Sequence, residues 1–115
     1  MRENRAAFDR IPLRYRTMVD VGTRSLATTV LGAPVSWPVM IAPTAMQKLA
    51  HPDGECGTAR AAHRTGTLLI ASTTATTHLS EVRAAAPDPP MWFQLYIYRD
   101  RGATRELIAE AVRSG

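Results

Sequence analysis

Among its 115 residues the chain has one cysteine, one lysine and two phenylalanines. Cys56, being alone, forms no internal disulfide. It reads as a small packing residue on a helix rather than a nucleophile. No apolar run approaches the roughly 20 residues that a membrane-spanning helix needs. The charged opening Met1-Arg2-Glu3-Asn4-Arg5 is not followed by an apolar signal-peptide core. A cytoplasmic protein with no membrane span is expected. Aromatic residues make up 6% of the chain and, apart from Tyr15 between Arg14 and Arg16, do not alternate with basic ones, so a base-stacking platform for nucleic acid is missing. Also missing are a Gly-x-Gly-x-x-Gly loop, a Walker loop and any pair of histidines at metal-ligand spacing. His51, His63 and His78 each stand before, on or at the start of a helix, and read as structural.

What the chain has in excess is arginine: Lys48 is the single lysine beside 13 arginines, and the net charge is +4 with a pI near 10.0. A basic balance admits a non-catalytic module that binds anions or nucleic acid. The arginines are scattered apart from a loose N-terminal group, which fits a solvated surface better. The apolar content, 45%, is that of a globular protein.

Three apolar runs each end in uncharged hydrogen-bonding residues. Val39-Met40-Ile41-Ala42 leads into Pro43-Thr44-Ala45, Leu68-Leu69-Ile70-Ala71 into Ser72-Thr73-Thr74, and Met91-Trp92-Phe93 into Gln94-Leu95-Tyr96. The first run is short and uniformly apolar, as in a parallel strand covered on both faces. A helix is expected from His51-Pro52-Asp53-Gly54-Glu55, with Pro52 in its first turn, a face of Cys56, Ala59, Ala62 and His63, and Gly66 at its end. The second strand spans Leu68 to Ser72. Thr76 or Thr77 should cap the next helix, with Leu79, Val82 and Ala86 on one stripe. Pro87-Asp88-Pro89-Pro90 stops that helix. The third strand runs from Met91 to Ile97, and Asp100 caps a helix with a stripe of Thr104, Leu107, Ile108 and Ala111, ending at Ser114-Gly115.

Ahead of these units come a polar, Arg-rich lead-in to about Val19 and a short strand and turn at Thr28 to Pro34. Three β–α units form part of an α/β architecture, either an open miniature or a piece of a (β/α)8 barrel, which has eight. The chain stops where a fourth strand is due, and the sheet edges call for further strands. A C-terminal half-barrel or a second copy of the chain would supply them.

In the third strand, alternation puts Trp92, Gln94 and Tyr96 on one face and Phe93, Leu95 and Ile97 on the other. An amide and a phenol at the catalytic end of a barrel suit a planar heterocycle and a substrate. Core residues bonded to neighbouring backbone would look the same. Small residues at Thr44 and Ala45 permit a ligand to approach backbone N–H groups, although a plain turn has the same composition. Ser72 offers a hydroxyl to that face, or is a strand-end hydroxyl satisfied locally.

Four segments in register carry a resemblance: Asn4-Arg5-x-x-Phe8-x-x-Ile11, Ile41-Ala42-Pro43-Thr44-Ala45-Met46-Gln47-Lys48, Ala50-His51-Pro52-x-Gly54-Glu55 and Phe93-Gln94-Leu95-Tyr96. Together they resemble the FMN-dependent 2-hydroxy-acid oxidases and dehydrogenases, the family of glycolate oxidase, over nearly the whole chain. The resemblance implies that residues 1–115 are the N-terminal part of such a domain, a partial (β/α)8 barrel. Its cofactor would be FMN and its substrate a small 2-hydroxy acid, oxidised to a 2-oxo acid. It also implies that Pro43, Thr44 and Ala45 lie against the flavin and that Ser72 and Gln94 hydrogen-bond its ring. Tyr96 would contact the substrate as a catalytic residue. The family's histidine base, carboxylate-binding arginines and phosphate site would fall after Gly115. Glycolate oxidase has a tryptophan where this chain has Thr74, which implies a reshaped substrate pocket.

Overall fold

A computed structural model of the chain describes residues 2–88 and 90–115. Met1 of the lead-in and Pro89 of the expected helix stop lie outside the described residues. The elements are α1 (Arg2–Asp9), β1 (Thr28–Val30), β2 (Ala33–Val35), α2 (Gly54–Thr65), β3 (Leu69–Ser72), α3 (Leu79–Ala85), β4 (Met91–Gln94) and α4 (Arg101–Arg113). The result is a mixed α/β structure.

The lead-in carries a helix that its polarity did not suggest. Glu3 in the first turn of α1 opposes the positive end of the helix and pairs with Arg10, but no residue of α1 is buried. β1 and β2 form an antiparallel hairpin with Thr28 opposite Val35 and Val30 opposite Ala33. Ala33 and Pro34 therefore belong to a strand rather than a turn. The turn is Leu31-Gly32, both at positive φ, the geometry that matches the twist of two-residue hairpins.

β3 and β4 pair in parallel, in the register Leu69–Met91, Ile70–Trp92, Ala71–Phe93 and Ser72–Gln94. On the other side of β3, the expected first strand is reduced to one parallel bridge, Ile41 with Leu69. The Ile41 N–H donates to the Leu68 carbonyl at 2.9 Å and the Ile70 N–H to the Ile41 carbonyl at 3.0 Å. Its flanks are not covered on both faces as expected: Val39 and Met40 are exposed. Pro38 and Pro43 lack N–H groups, and the Thr67 hydroxyl takes the Val39 carbonyl, so the ladder has no room to extend. β4 also ends early, at Gln94. Thr73 donates its hydroxyl to the Gln94 carbonyl and accepts the Tyr96 N–H at 2.9 Å, replacing the ladder by a side chain.

The helices lie on one face of this sheet. Leu69 and Val82 pack with Ala59, Ala62 and Ala86, and Ile41 and Met91 close over them. Alanines on α2 let its backbone sit close to β3. His63, expected on that face, is exposed, because Ala59 and Ala62 define the buried stripe and His63 is rotated off it. α2 begins at Gly54 after Asp53, so Pro52 precedes the helix instead of filling its first turn. It ends at Gly66, φ 63°, where an added Cβ would lie 2.2 Å from the Ser36 hydroxyl oxygen. α3 starts after His78 with no side-chain cap; the expected caps, Thr76 and Thr77, are engaged elsewhere. Asp100 caps α4 as expected, accepting from the Gly102 N–H at 2.8 Å and the Ala103 N–H at 3.3 Å. On α4, Thr104 is buried and Ile108 is not.

Candidate active site

The sheet face away from the helices follows from strand alternation. Leu69, Ala71, Met91 and Phe93 turn toward the helices, and Ala71 and Phe93 line a cavity of about 310 Å³ with Leu79, Val82 and Leu107, which the strand-end residue Ser72 also borders. Ile70, Ser72, Trp92 and Gln94 therefore share the opposite face. Ser72 and Gln94, at the carboxyl ends of their strands, are register partners on it. Ser72 is buried; its oxygen accepts the Thr74 N–H at 3.2 Å and lies 3.2 Å from the Thr74 hydroxyl. Gln94 is half-buried. Tyr96 lies beyond the end of β4 and is 56% exposed, so the common face of Trp92, Gln94 and Tyr96 is regular only as far as Gln94.

Pro43, Thr44 and Ala45 form an exposed loop after the Ile41 bridge. Two hydrogen bonds join this loop to its neighbours. Met46, in the left-handed region at φ 54°, donates its N–H to the Thr74 carbonyl at 3.3 Å. The Gln47 amide donates to the Thr44 carbonyl at 3.2 Å. The loop after the first strand is thus tied to the loop after the second, and Thr73 ties the second to Tyr96 after the third.

A residue that strand-end reasoning passed over holds the first two loops together. Glu55, in the first turn of α2, is 3% exposed. Its carboxylate accepts the Gln47 N–H at 3.2 Å, the Thr76 N–H at 2.8 Å, the Thr76 hydroxyl at 2.8 Å and the Thr77 hydroxyl at 2.8 Å. Thr76 in turn accepts the Lys48 N–H at 3.1 Å. Burial alone would raise the Glu55 pKa, but the Thr76 and Thr77 donors outweigh it, lowering the value from 4.5 to about 2. This occupation explains why neither threonine caps α3. The signal for it in the sequence was a glutamate three residues before Thr58 on a helix whose stripe is otherwise alanine. Two threonines just before the next helix completed it.

Cys56 is half-buried, with its thiol 3.8 Å from the Glu81 carbonyl oxygen. His51 accepts the Asp53 N–H on its Nδ1 at 3.2 Å, a local structural bond. Among the described residues no group of three or more His, Cys, Asp or Glu side chains could hold a metal ion, and no helix is long and apolar enough to cross a membrane. What gathers at the strand ends is uncharged: hydroxyls, an amide, a phenol and backbone N–H groups. Such a donor set fits a planar heterocycle with alternating acceptors and donors at its edge better than it fits a metal.

A family model described as FMN-dependent dehydrogenase matches residues 1–115. Glycolate oxidase 3 of Oryza sativa subsp. indica is 49% identical over 115 residues, which is 100% of this chain and 31% of that protein. The crystal structure of a lactate oxidase from Pediococcus acidilactici superposes with a TM-score of 0.93 at 35% identity, over 98% of this chain and 32% of that one. The flavin-binding domain of baker's yeast flavocytochrome b2 superposes at 0.92 with 34% identity, over 99% of this chain and 30% of that one. The chain spans about a third of the length of the relatives it matches.

Proposed function

The chain belongs to the FMN-dependent dehydrogenase family, and from that premise we propose that it is the opening third of a (β/α)8 barrel that oxidises a small 2-hydroxy acid to the 2-oxo acid. Supporting the barrel reading, Ile41, β3 and β4 follow one another in space as they do in sequence, in parallel, with the helices on one face only. In this reading the uncovered face is the barrel interior, and residues 1–115 are the N-terminal part of one domain.

Pro43, Thr44 and Ala45 would hold the flavin by close backbone approach, and Ser72 and Gln94 by hydrogen bonds from the barrel interior. Tyr96 would orient the substrate and Thr74 would border its pocket. FMN, when bound, supplies the two-electron acceptor. This chain's residues bind and orient; by the family resemblance, the base that takes the proton of the substrate hydroxyl falls after Gly115. The observation that carries the reading is the pairing of Ser72 with Gln94 on the face turned away from the helices.

The test is a chimera in which this chain replaces the matching third of rice glycolate oxidase 3. It should retain about one FMN per molecule, and glycolate or lactate should bleach the flavin band without oxygen. A folded chimera with no flavin would overturn the proposal. Within that chimera, Thr74→Trp narrows the pocket and should raise KM for lactate relative to glycolate; an unchanged ratio would remove Thr74 from the substrate site.

A further inference from the structure

Gln47 was named in no role by the family resemblance, yet its side chain is held at both ends. Its Oε1 accepts the Thr58 hydroxyl of α2 at 2.5 Å, which leaves Nε2 as the end that donates to the Thr44 carbonyl at 3.2 Å. Its own N–H is held by buried Glu55 at 3.2 Å. Gln47 therefore bridges α2 to the loop across a cavity of about 550 Å³ that Thr44, Ala45, Thr58 and Ala61 help line.

The Thr44 carbonyl belongs to the same peptide plane as the Ala45 N–H. Among the described residues every peptide bond is trans. In a trans peptide the C=O and N–H point in opposite directions. Drawing the Thr44 carbonyl toward Gln47 turns the Ala45 N–H away from it. That N–H has no hydrogen-bond partner among the described residues, and Ala45 is exposed.

We infer that Gln47 is a positioning residue, which by holding the Thr44 carbonyl aims the Ala45 N–H at the flavin. This rests on the function proposed above. Thr58 fixes which end of the amide faces the loop, and Glu55 fixes where the Gln47 backbone stands. A glutamate at position 47 would still accept from Thr58 but would have no proton for the Thr44 carbonyl.

The test uses the full chain, labelled with ¹⁵N and weakly aligned, because residual dipolar couplings report N–H direction without any flavin. In Gln47→Ala and Gln47→Glu the Ala45 coupling should change, while Ile70 and Ala71 in the sheet keep theirs. Thr58→Val should move Ala45 in the same direction by less, and it carries the test should either Gln47 variant fail to fold. In the chimera with rice glycolate oxidase 3, the Gln47 variants should bind FMN about fivefold more weakly, the effect of one lost hydrogen bond. An unchanged Ala45 coupling in Gln47→Glu would overturn the inference, as would equal changes in Ile70 and Ala71, which would make Gln47 merely structural. If the chimera carries no flavin while the couplings change as expected, the flavin reading fails and the aiming by Gln47 stands.

Discussion

At the scale of single residues, Glu55 shows how a buried charge can be held by neutral donors. Two backbone N–H groups and two hydroxyls converge on its carboxylate, and such charge-assisted bonds are roughly twice as strong as neutral ones. Its pKa in the fold, about 2, lies below the ordinary 4.5. The ionised form is the one the fold favours. Its contribution is complete above about pH 4.5 and disappears as pH falls from there toward 2. By linkage the whole effect is on the order of 3 kcal/mol. Urea unfolding should show wild type losing stability across that window and Glu55→Gln losing less, from a lower starting point at pH 7. Parallel pH profiles for the two would sink the assignment.

At the scale of elements, the helix ends are uneven and respond differently to substitution. Gly66 ends α2 at φ 63°, against Ser36 of the hairpin segment, whose N–H donates to the Gly66 carbonyl at 2.8 Å. Gly66→Ala combines a left-handed alanine, costing about 1–2 kcal/mol, with a clash at Ser36. The urea midpoint should drop accordingly. Asp100→Ala removes the α4 cap and should lower stability by about 1 kcal/mol. His78 caps α3 with no side-chain bond, so His78→Ser should raise stability, measured the same way. A neutral His78→Ser would mean that the backbone there has no N–H left to satisfy.

At the scale of the whole molecule, apolar surface is left open. Phe8, Leu13, Met18, Val39, Tyr96 and Ile97 are each more than half exposed. Exposed apolar side chains together with a sheet covered on one face fit a surface made to be covered. Under the barrel proposal the cover is the remaining two thirds of such a domain. The purified chain alone should therefore carry no stoichiometric FMN. Co-expression with the complementary part of rice glycolate oxidase 3 should raise its solubility and bring flavin with it. A yellow preparation of the isolated chain, one flavin per molecule, would contradict the first expectation.

Local chemistry in the sequence was enough to locate α2, α3, α4 and the cores of β3 and β4. Their apolar spacing, Gly66 and Asp100 are signals contained within a few neighbouring residues. The alternation of Phe93 against Trp92 and Gln94 likewise told helix side from open side, because strand geometry has a fixed period. Tertiary structure alone decided what depended on distant partners. Thr67 and Thr73 cut two strands short by taking carbonyls 28 and 21 residues away. Thr76 and Thr77 serve Glu55 rather than the helix beside them. The glutamate and the paired threonines are visible in the sequence, but a hydroxyl's choice between its own helix and a buried carboxylate on another is an energy difference set by three-dimensional approach, which residue spacing alone does not decide.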